Sequence, residues 1–397
     1  MAHIFLSSPH MSGEGFEQEY IREAFATNWI APLGKNVTEF EKEMAEKVNA
    51  KKAVALSTGT AAIHMALKAI GIQQGDLVLC QSLTFSATAN PIVYEKAVPV
   101  FIDSDRDTWN MSPKALKKAF EQYTRIGKRP KAVIVVHLYG ICAYIQEIAA
   151  ICKEYGVPLI EDAAESLGTT YKGKYTGTFG DYGIISFNGN KIITTSGGGM
   201  LLVNTPDAEK KAEKVLFWAT QARETARWYQ HREIGYNYRM SNIVAGIGRG
   251  QLKVLDQRIE KKRYILAYYK KHLGTLEGIS FMPEPEESRC NAWLSVIQLA
   301  EGCKVRPLDM IEALEQQDIE SRPVWKPLHL QPVFAECDFV SERNACRVTD
   351  AEMGMDDSVA GRLFGNGVCL PSDTKMTAND MERICRTLEA LWKKIKK

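Results

Sequence analysis

Apolar residues recur along this chain in two alternating rhythms. Short, nearly continuous runs (AVAL from Ala53, DLVLC from Asp76, VPVFID from Val98, KAVIVV from Lys131, VPLIED from Val157, GIISF from Gly183 and MLLV from Met200) have the length of strands buried on both faces. Between them lie longer amphipathic or helix-favouring segments, such as STGTAAIHMALKAIG from Ser57. Strand and helix alternating from Ala53 to about Val203 predict an α/β unit with a mostly parallel sheet covered on both sides.

Outside that block the pattern is helical or mixed. Residues 13–49 read as one or two helices broken at NWIAPLG, Asn28 to Gly34, which is either a plain loop or the lip of a pocket. From Ala208 to about Leu273 the reading is mainly helical, interrupted by QARETARWYQHREIGYNYRMSN, a stretch too rich in Arg, Trp and Tyr for a passive linker. Beyond it the chain reads as a smaller α+β unit, with strands near GISFM and AWLSVIQL, a helix from about Pro307, and SRPVWKPLHLQP. The last helix opens on the capping pair Thr377 and Asp380 and carries Met381, Ile384, Leu388, Leu391 and Ile395 at helical spacing. The boundary is expected near residue 250, giving a large unit over 1–250 and a small one over 251–397.

Composition narrows the class. A chain of 397 residues with 45% hydrophobic and 25% charged residues has the make-up of a globular enzyme of about two domains. A net charge of +2 gives no reason to expect a nucleic-acid or membrane partner. The basic tail WKKIKK reads as the solvated end of the last helix, where cations suit the dipole. The nine cysteines show neither a CxxC pair nor zinc-like spacing, so reduced thiols, a cytoplasmic setting and no metal site are expected.

Candidate chemistry centres on SFNGNKIITTSGGGM, Ser186 to Met200. Asn188, Gly189 and Asn190 are turn formers, so Lys191 falls on a loop just past a strand. A lysine in a partly dry loop can be lowered toward the free amine and condense with an aldehyde, although most loop lysines are solvated surface charges. Thr58, Gly59 and Thr60 stand where the next helix begins; such a start suits a phosphate, and equally an ordinary N-cap. Phe85 follows a strand and could stack on a flat ring or belong to the core. Asp162 ends a strand, on the side where open α/β sheets bind ligands. Pyridoxal 5'-phosphate chemistry asks for this set: a lysine for the aldehyde, a carboxylate for the pyridine nitrogen, donors for the phosphate and an aromatic cover.

The motifs STGTAAIH, TFSATAN, FIDSD, VHLYG, EDAAES, GDYGIISFNGNKIITTSGGGM, GYNYRMSN, RPVWKPLH and VCLPS together resemble the sugar aminotransferases of the DegT/DnrJ/EryC1/StrS family over nearly the whole chain. The resemblance implies pyridoxal phosphate fold type I, with a large mostly parallel-sheet domain and a smaller α+β C-terminal domain. It implies Lys191 as the residue that joins the cofactor, Asp162 as the pyridinium partner, Ser186, Gly59 and Thr60 as phosphate contacts, and Phe85 over the ring. Asn237 would reach the phosphate in a neighbouring subunit, making the protein a homodimer with shared sites. Asn28, Trp29, Ile30, Ala31, Arg322, Pro323, Val324, Trp325 and His329 would border the nucleotide-sugar pocket, where Gly59 and Ser186 also lie. Glu165 departs from the His or Gln common at its position. The implied reaction takes an amino group from L-glutamate to carbon-4 of a nucleotide-linked 4-keto-6-deoxy sugar. UDP-2-acetamido-2,6-dideoxy-4-hexulose is the expected acceptor, and dTDP-, GDP- or other UDP-linked keto sugars are the alternatives.

Three competing readings are weaker. Sugar dehydratases of the same fold carry histidine where this chain has Lys191. A regulatory protein that merely keeps the cofactor pocket has no need of an intact lysine, aspartate and phosphate set. A dinucleotide-binding dehydrogenase calls for a GxGxxG turn after the first strand, which is absent.

Overall fold

The computed structural model describes residues 2–343 and 356–395; Cys346 and the tail residues Lys396 and Lys397 fall outside this range, as does the side chain of Ile395. The seven strands expected in the first half of the chain, joined by Phe339–Val340, which the pattern did not predict, assemble into an eight-stranded sheet in the order Lys52–Leu56, Gly199–Val203, Tyr182–Ser186, Leu159–Asp162, Ala132–Val136, Leu77–Gln81, Val98–Ile102 and Phe339–Val340. Pairing is parallel from Tyr182–Ser186 through to Phe339–Val340. Gly199–Val203 alone runs the other way, wedged between Tyr182–Ser186 and Lys52–Leu56.

Both faces of the sheet are dry. Leu79, Val133 and Val135 point into one core, while Val78, Cys80 and Ile134 point into the other. This two-sided burial is why the strands read as unbroken apolar runs rather than as alternating ones. The helices end where their caps dictate: Thr58, Ser112 and Ser241 each accept an N–H of the first turn, and Gly71 leaves the first crossover helix at φ 84°. The N-terminal helical stretch resolves into two helices, Phe16–Ala26 and Lys35–Val48, with Asn28–Gly34 between them.

A four-stranded antiparallel sheet of Ile279–Phe281, Ser295–Leu299, Gly367–Leu370 and Arg322–Pro323 forms the smaller unit. Its core draws Ile265 and Tyr269 from the helix Leu255–Leu273, and Met381, Ile384 and Leu388 from the last helix. Thr377 and Asp380 cap that helix reciprocally, each accepting the other's N–H. Two segments cross the boundary placed near residue 250. Ile4 is buried in the smaller core and pairs with Ile319, while Phe339–Val340 adds an edge strand to the large sheet. Among the described residues the cysteines are unpaired, and no helix is long and apolar enough to cross a membrane.

Candidate active site

A cavity of about 810 Å³ opens at the carboxyl ends of the central strands, where the small unit's Arg322–Lys326 segment closes over the sheet. Thr58, Gly59 and Thr60 line one end of it, together with Ser186. Thr58 Oγ1 accepts the N–H of Ala61 at 2.9 Å and its carbonyl accepts that of Ala62, while the N–H groups of Gly59 and Thr60 precede the first intrahelical donor. The helix start is therefore a cluster of donors at a positive dipole end. Two glycines let the backbones close up here. A Cβ on Gly59 would come within 3.3 Å of Ser186 Cβ, and one on Gly199 would lie 2.2 Å from the carbonyl carbon of Thr58.

Asp162 lies at the floor of the cavity, buried. Its Oδ2 accepts the Thr88 hydroxyl at 2.8 Å and its Oδ1 the N–H of Ala164 at 3.1 Å. Burial raises its pKa; the hydrogen bonds from Thr88 and Ala164 and the positive charge of Lys191 oppose the rise without cancelling it. Such a carboxylate has acceptor capacity to spare and favours a cationic partner.

Lys191 extends into the same space. Its Nζ is 3.5 Å from Glu165 Oε1 and 4.1 Å from the centroid of the Trp293 ring. Besides the partly dry setting expected from its loop, this lysine faces a carboxylate and an aromatic face, both of which attract positive charge. Glu165 is buried, and its Oε2 accepts the N–H of Tyr139 at 2.6 Å. Tyr139 sits at φ 54°, a left-handed conformation at the end of a central strand. Burial pushes the Glu165 carboxyl up to about 7, with Lys191 and the Tyr139 N–H pulling the other way.

The outer wall is aromatic. Trp325 packs against Tyr139 and Phe85 with ring centroids at 5.0 and 5.8 Å, and its backbone N–H donates to the Tyr139 hydroxyl at 3.1 Å. Phe85 is exposed at the mouth of the cavity. Arg322, Pro323 and Val324 complete this side.

The remaining sequence-predicted positions lie elsewhere in the single chain. His329 is buried behind the wall, where Nδ1 meets Ser82 Oγ at 2.6 Å, Nε2 meets Asp356 Oδ2 at 2.9 Å, and the ring stacks on Phe339. Its polar atoms are committed to holding the Leu328–Leu330 turn rather than turned to the cavity. Asn28 to Ala31 and Asn237 are exposed and do not line the cavity. Trp293, Tyr139 and Thr88 were not singled out from sequence. Their partners Lys191, Glu165 and Asp162 are 102, 26 and 74 positions away, so local pattern carried no sign of them.

With this geometry established, comparison with known proteins is direct. A Bacillus subtilis protein that carries the name of a pyridoxal phosphate-dependent aminotransferase, EpsN, is 55% identical over 385 residues, covering 97% of this chain and 95% of that protein. The GDP-perosamine synthase of Escherichia coli O157:H7 is 38% identical over 392 residues, covering 99% of each chain. Among solved structures, the aminotransferase TlmJ from Streptoalloteichus hindustanus superposes with a TM-score of 0.85 at 25% identity, covering 99% of this chain and 100% of that one. The sheet order and two-unit build are those of pyridoxal phosphate fold type I. The pattern of one family matches residues 12–389, nearly the full length, and the chain belongs to that family, the DegT/DnrJ/EryC1/StrS aminotransferases.

Proposed function

We propose that this pyridoxal phosphate-dependent aminotransferase moves an amino group from L-glutamate to carbon-4 of a nucleotide-linked 4-keto-6-deoxy sugar, with UDP-2-acetamido-2,6-dideoxy-4-hexulose as acceptor. The observation that carries the chemistry is the convergence of Lys191, Asp162 and the Thr58–Thr60 helix start on one cavity. The motif set quoted above supports the UDP acceptor. A GDP-linked keto sugar is the second reading, favoured by the names of relatives such as the GDP-perosamine synthases of Escherichia coli O157:H7 and Caulobacter vibrioides. A relative from Saccharopolyspora spinosa is named for a 4-aminotransferase acting on a dTDP sugar, which supports carbon-4.

The residues fit the cofactor. A buried carboxylate short of partners suits a protonated ring nitrogen, and a helix start with free N–H groups beside Thr60 and Ser186 suits a phosphate. Lys191 would hold the aldehyde carbon, and Phe85 would cover the ring face. Pyridoxal phosphate, when bound, supplies the carbonyl that carries the amino group and an electron-withdrawing ring.

The chain's own groups do the rest. Asp162, ionised, keeps a proton on the ring nitrogen. Lys191 Nζ would take the proton from the α-carbon of glutamate and, in the second half of the transfer, return one to carbon-4 of the sugar, a general acid/base role. Glu165, 3.5 Å away, would when ionised stabilise the positive charge on Nζ. Trp325 and Phe85 wall the outer side of the cavity while leaving its mouth open to the water that releases 2-oxoglutarate, and Arg322 and Lys326 at the rim would supply positive charge for a diphosphate.

Asn237 and the Asn28–Ala31 loop belong to this reading through a second copy of the chain. The exposed Trp29, Ile30 and Leu33, and the exposed Trp228, Tyr229 and Ile234, are apolar surface of the kind a partner covers. In the homodimer, Asn237 would reach the neighbouring cofactor phosphate, and residues 28–31 would border the neighbouring sugar pocket.

The test is the visible absorption of the purified protein loaded with pyridoxal phosphate. L-Glutamate should bleach the band, and one member of a UDP-, GDP- and dTDP-linked 4-keto sugar panel should restore it. Bleaching without recovery would overturn the acceptor. No response to glutamate would overturn the donor, and normal turnover in Lys191→Ala would overturn the role of that lysine.

A further inference from the structure

Lys262, on the helix Leu255–Leu273, is a buried lysine that the reaction above does not use. Among the described residues no carboxylate reaches ion-pairing distance of its ammonium. Burial pushes its pKa down to about 7, against the raising effect of the Asp373 charge. An amine kept in so dry a place needs a partner, and the partner is Ser7, whose Oγ lies 3.1 Å from Lys262 Nζ.

Ser7 passes the contact on. Its hydroxyl accepts from Lys262 and donates to the carbonyl of Asn190 at 3.0 Å. That carbonyl also accepts Trp293 Nε1 at 2.9 Å, so both of its lone pairs are used. Asn190 directly precedes Lys191, and fixing its carbonyl fixes the peptide plane from which the Lys191 side chain departs.

The segment bearing Ser7 is itself pinned to the smaller unit on both sides. Ile4 pairs with Ile319; the N–H of Leu6 donates to Glu320 Oε2 at 2.8 Å; the Leu6 carbonyl accepts from Ser372 at 2.7 Å; and the N–H of Ser8 donates to Asp373 Oδ2 at 2.8 Å. Leu6 also lines the cavity, and the chain continues from Ile319 directly into Arg322–Trp325 of the cavity wall. The N-terminal segment is thus a strap between the smaller unit and the loop that carries Lys191.

We propose that Ser7 and Lys262 are positioning residues for Lys191: the hydrogen-bonded chain from the Lys262 ammonium through the Ser7 hydroxyl to the Asn190 carbonyl sets the direction of the lysine side chain and ties it to the smaller unit. The inference rests on Lys191 being the residue that holds the cofactor. Neither side chain touches the reacting atoms, and the expected signature is a change in the chemical step with donor binding preserved.

The experiment compares Ser7→Ala, Ser7→Thr, Lys262→Met and the Ser7→Ala/Lys262→Met double variant, all loaded with pyridoxal phosphate, with Lys191→Ala alongside. Three quantities are read: kcat and KM of the glutamate half-reaction, deuterium uptake of the peptide covering residues 188–195, and thermal midpoint. Ser7→Ala should lower kcat about tenfold, since a displacement well under 1 Å at a reacting group has effects of this order. KM should stay within about twofold, and exchange in 188–195 should rise. Ser7→Thr, which keeps the hydroxyl, should recover most of the loss. Lys262→Met should lower kcat as Ser7→Ala does, and the double variant should be no worse than either single one, because the two residues act in series.

A Ser7→Ala protein whose thermal midpoint falls while kcat and exchange in 188–195 match the parent overturns the proposal and leaves the strap a stability element. Additive losses in the double variant overturn the serial chain. Lys191→Ala separates the two levels of inference. If it retains the lysine-linked absorption band, the assignment of Lys191 has failed; if it loses the band while Ser7→Ala is unchanged from the parent, only the positioning role has failed.

Discussion

Replacing Glu165 by Gln isolates one charge in the cavity at nearly constant shape. The Glu165 carboxyl titrates at about 7 in the folded chain against an ordinary 4.5, because burial strips its hydration and Lys191 only partly compensates. The folded state therefore holds this proton more tightly than the unfolded state does. The resulting contribution to stability is fully present below pH 4.5 and is lost as pH rises to about 7. At about 1.4 kcal/mol per pKa unit, the loss across this window is on the order of 3 kcal/mol. Glutamine occupies the same volume, can still accept the Tyr139 N–H through its amide oxygen, and has no proton to lose. Urea unfolding of the parent and of Glu165→Gln, both free of pyridoxal phosphate, should be compared at constant ionic strength from pH 4 to 8. The stability of the variant relative to the parent should climb by about 3 kcal/mol between the ends of that range and be flat beyond it. Two parallel curves would refute the reasoning. A relative stability that falls with pH would show that attraction between Glu165 and Lys191 outweighs the cost of burying the carboxylate.

Three further outcomes are expected. Gly199→Ala places a methyl 2.2 Å from the Thr58 carbonyl carbon, where backbone faces backbone; thermal unfolding should show a loss of about 3 kcal/mol, and the protein should purify with less bound cofactor. Thr88→Val removes the hydroxyl that favours ionised Asp162, whose pKa burial already raises, so the acid limb of the kcat/KM profile should move toward neutral pH. If Asn237 serves the neighbouring site, mixing the inactive Lys191→Ala and Asn237→Asp proteins and allowing subunits to exchange should restore about a quarter of parental activity, since half the dimers would be mixed and carry one intact site each; no recovery would argue against shared sites.

The sequence revealed those parts of the site that short segments build. A strand end, a turn of Asn188, Gly189 and Asn190, and a lysine are contiguous, as are the strand and helix start around Thr58–Thr60, so Lys191 and the donor cluster could be read from local pattern. Asp162 followed from its place at a strand end. What pattern could not supply was the far side of each contact. Trp293 reads as one more apolar residue before the strand Ser295–Leu299, and only the packing of the smaller unit lays its ring beneath Lys191. His329 shows the converse. Its motif borders the cavity, but the side chain is turned inward to Ser82 and Asp356, a direction set by tertiary contacts. Similarly, the near-continuous apolar strands foretold a sheet covered on both faces, whereas nothing in MLLV announced that Gly199–Val203 would run against its neighbours.

That reversed strand has a consequence for how the protein is made. Among the described residues, the one strand paired with Lys52–Leu56 is Gly199–Val203, and the single bridge from Leu56 on its other side goes to Arg239, so the first strand synthesised waits for a partner roughly 150 residues later, some 8 to 30 s at ribosomal speeds of about 5–20 residues per second. Throughout that interval an apolar strand remains unpaired, and Thr58 lacks the glycine backbone that packs against it at the helix start. Pairing over such a separation is slow to nucleate and leaves the nascent chain open to aggregation. The cavity itself is finished later still, because Trp293 and the Arg322–Lys326 segment that close it emerge about 90 to 120 residues after Val203.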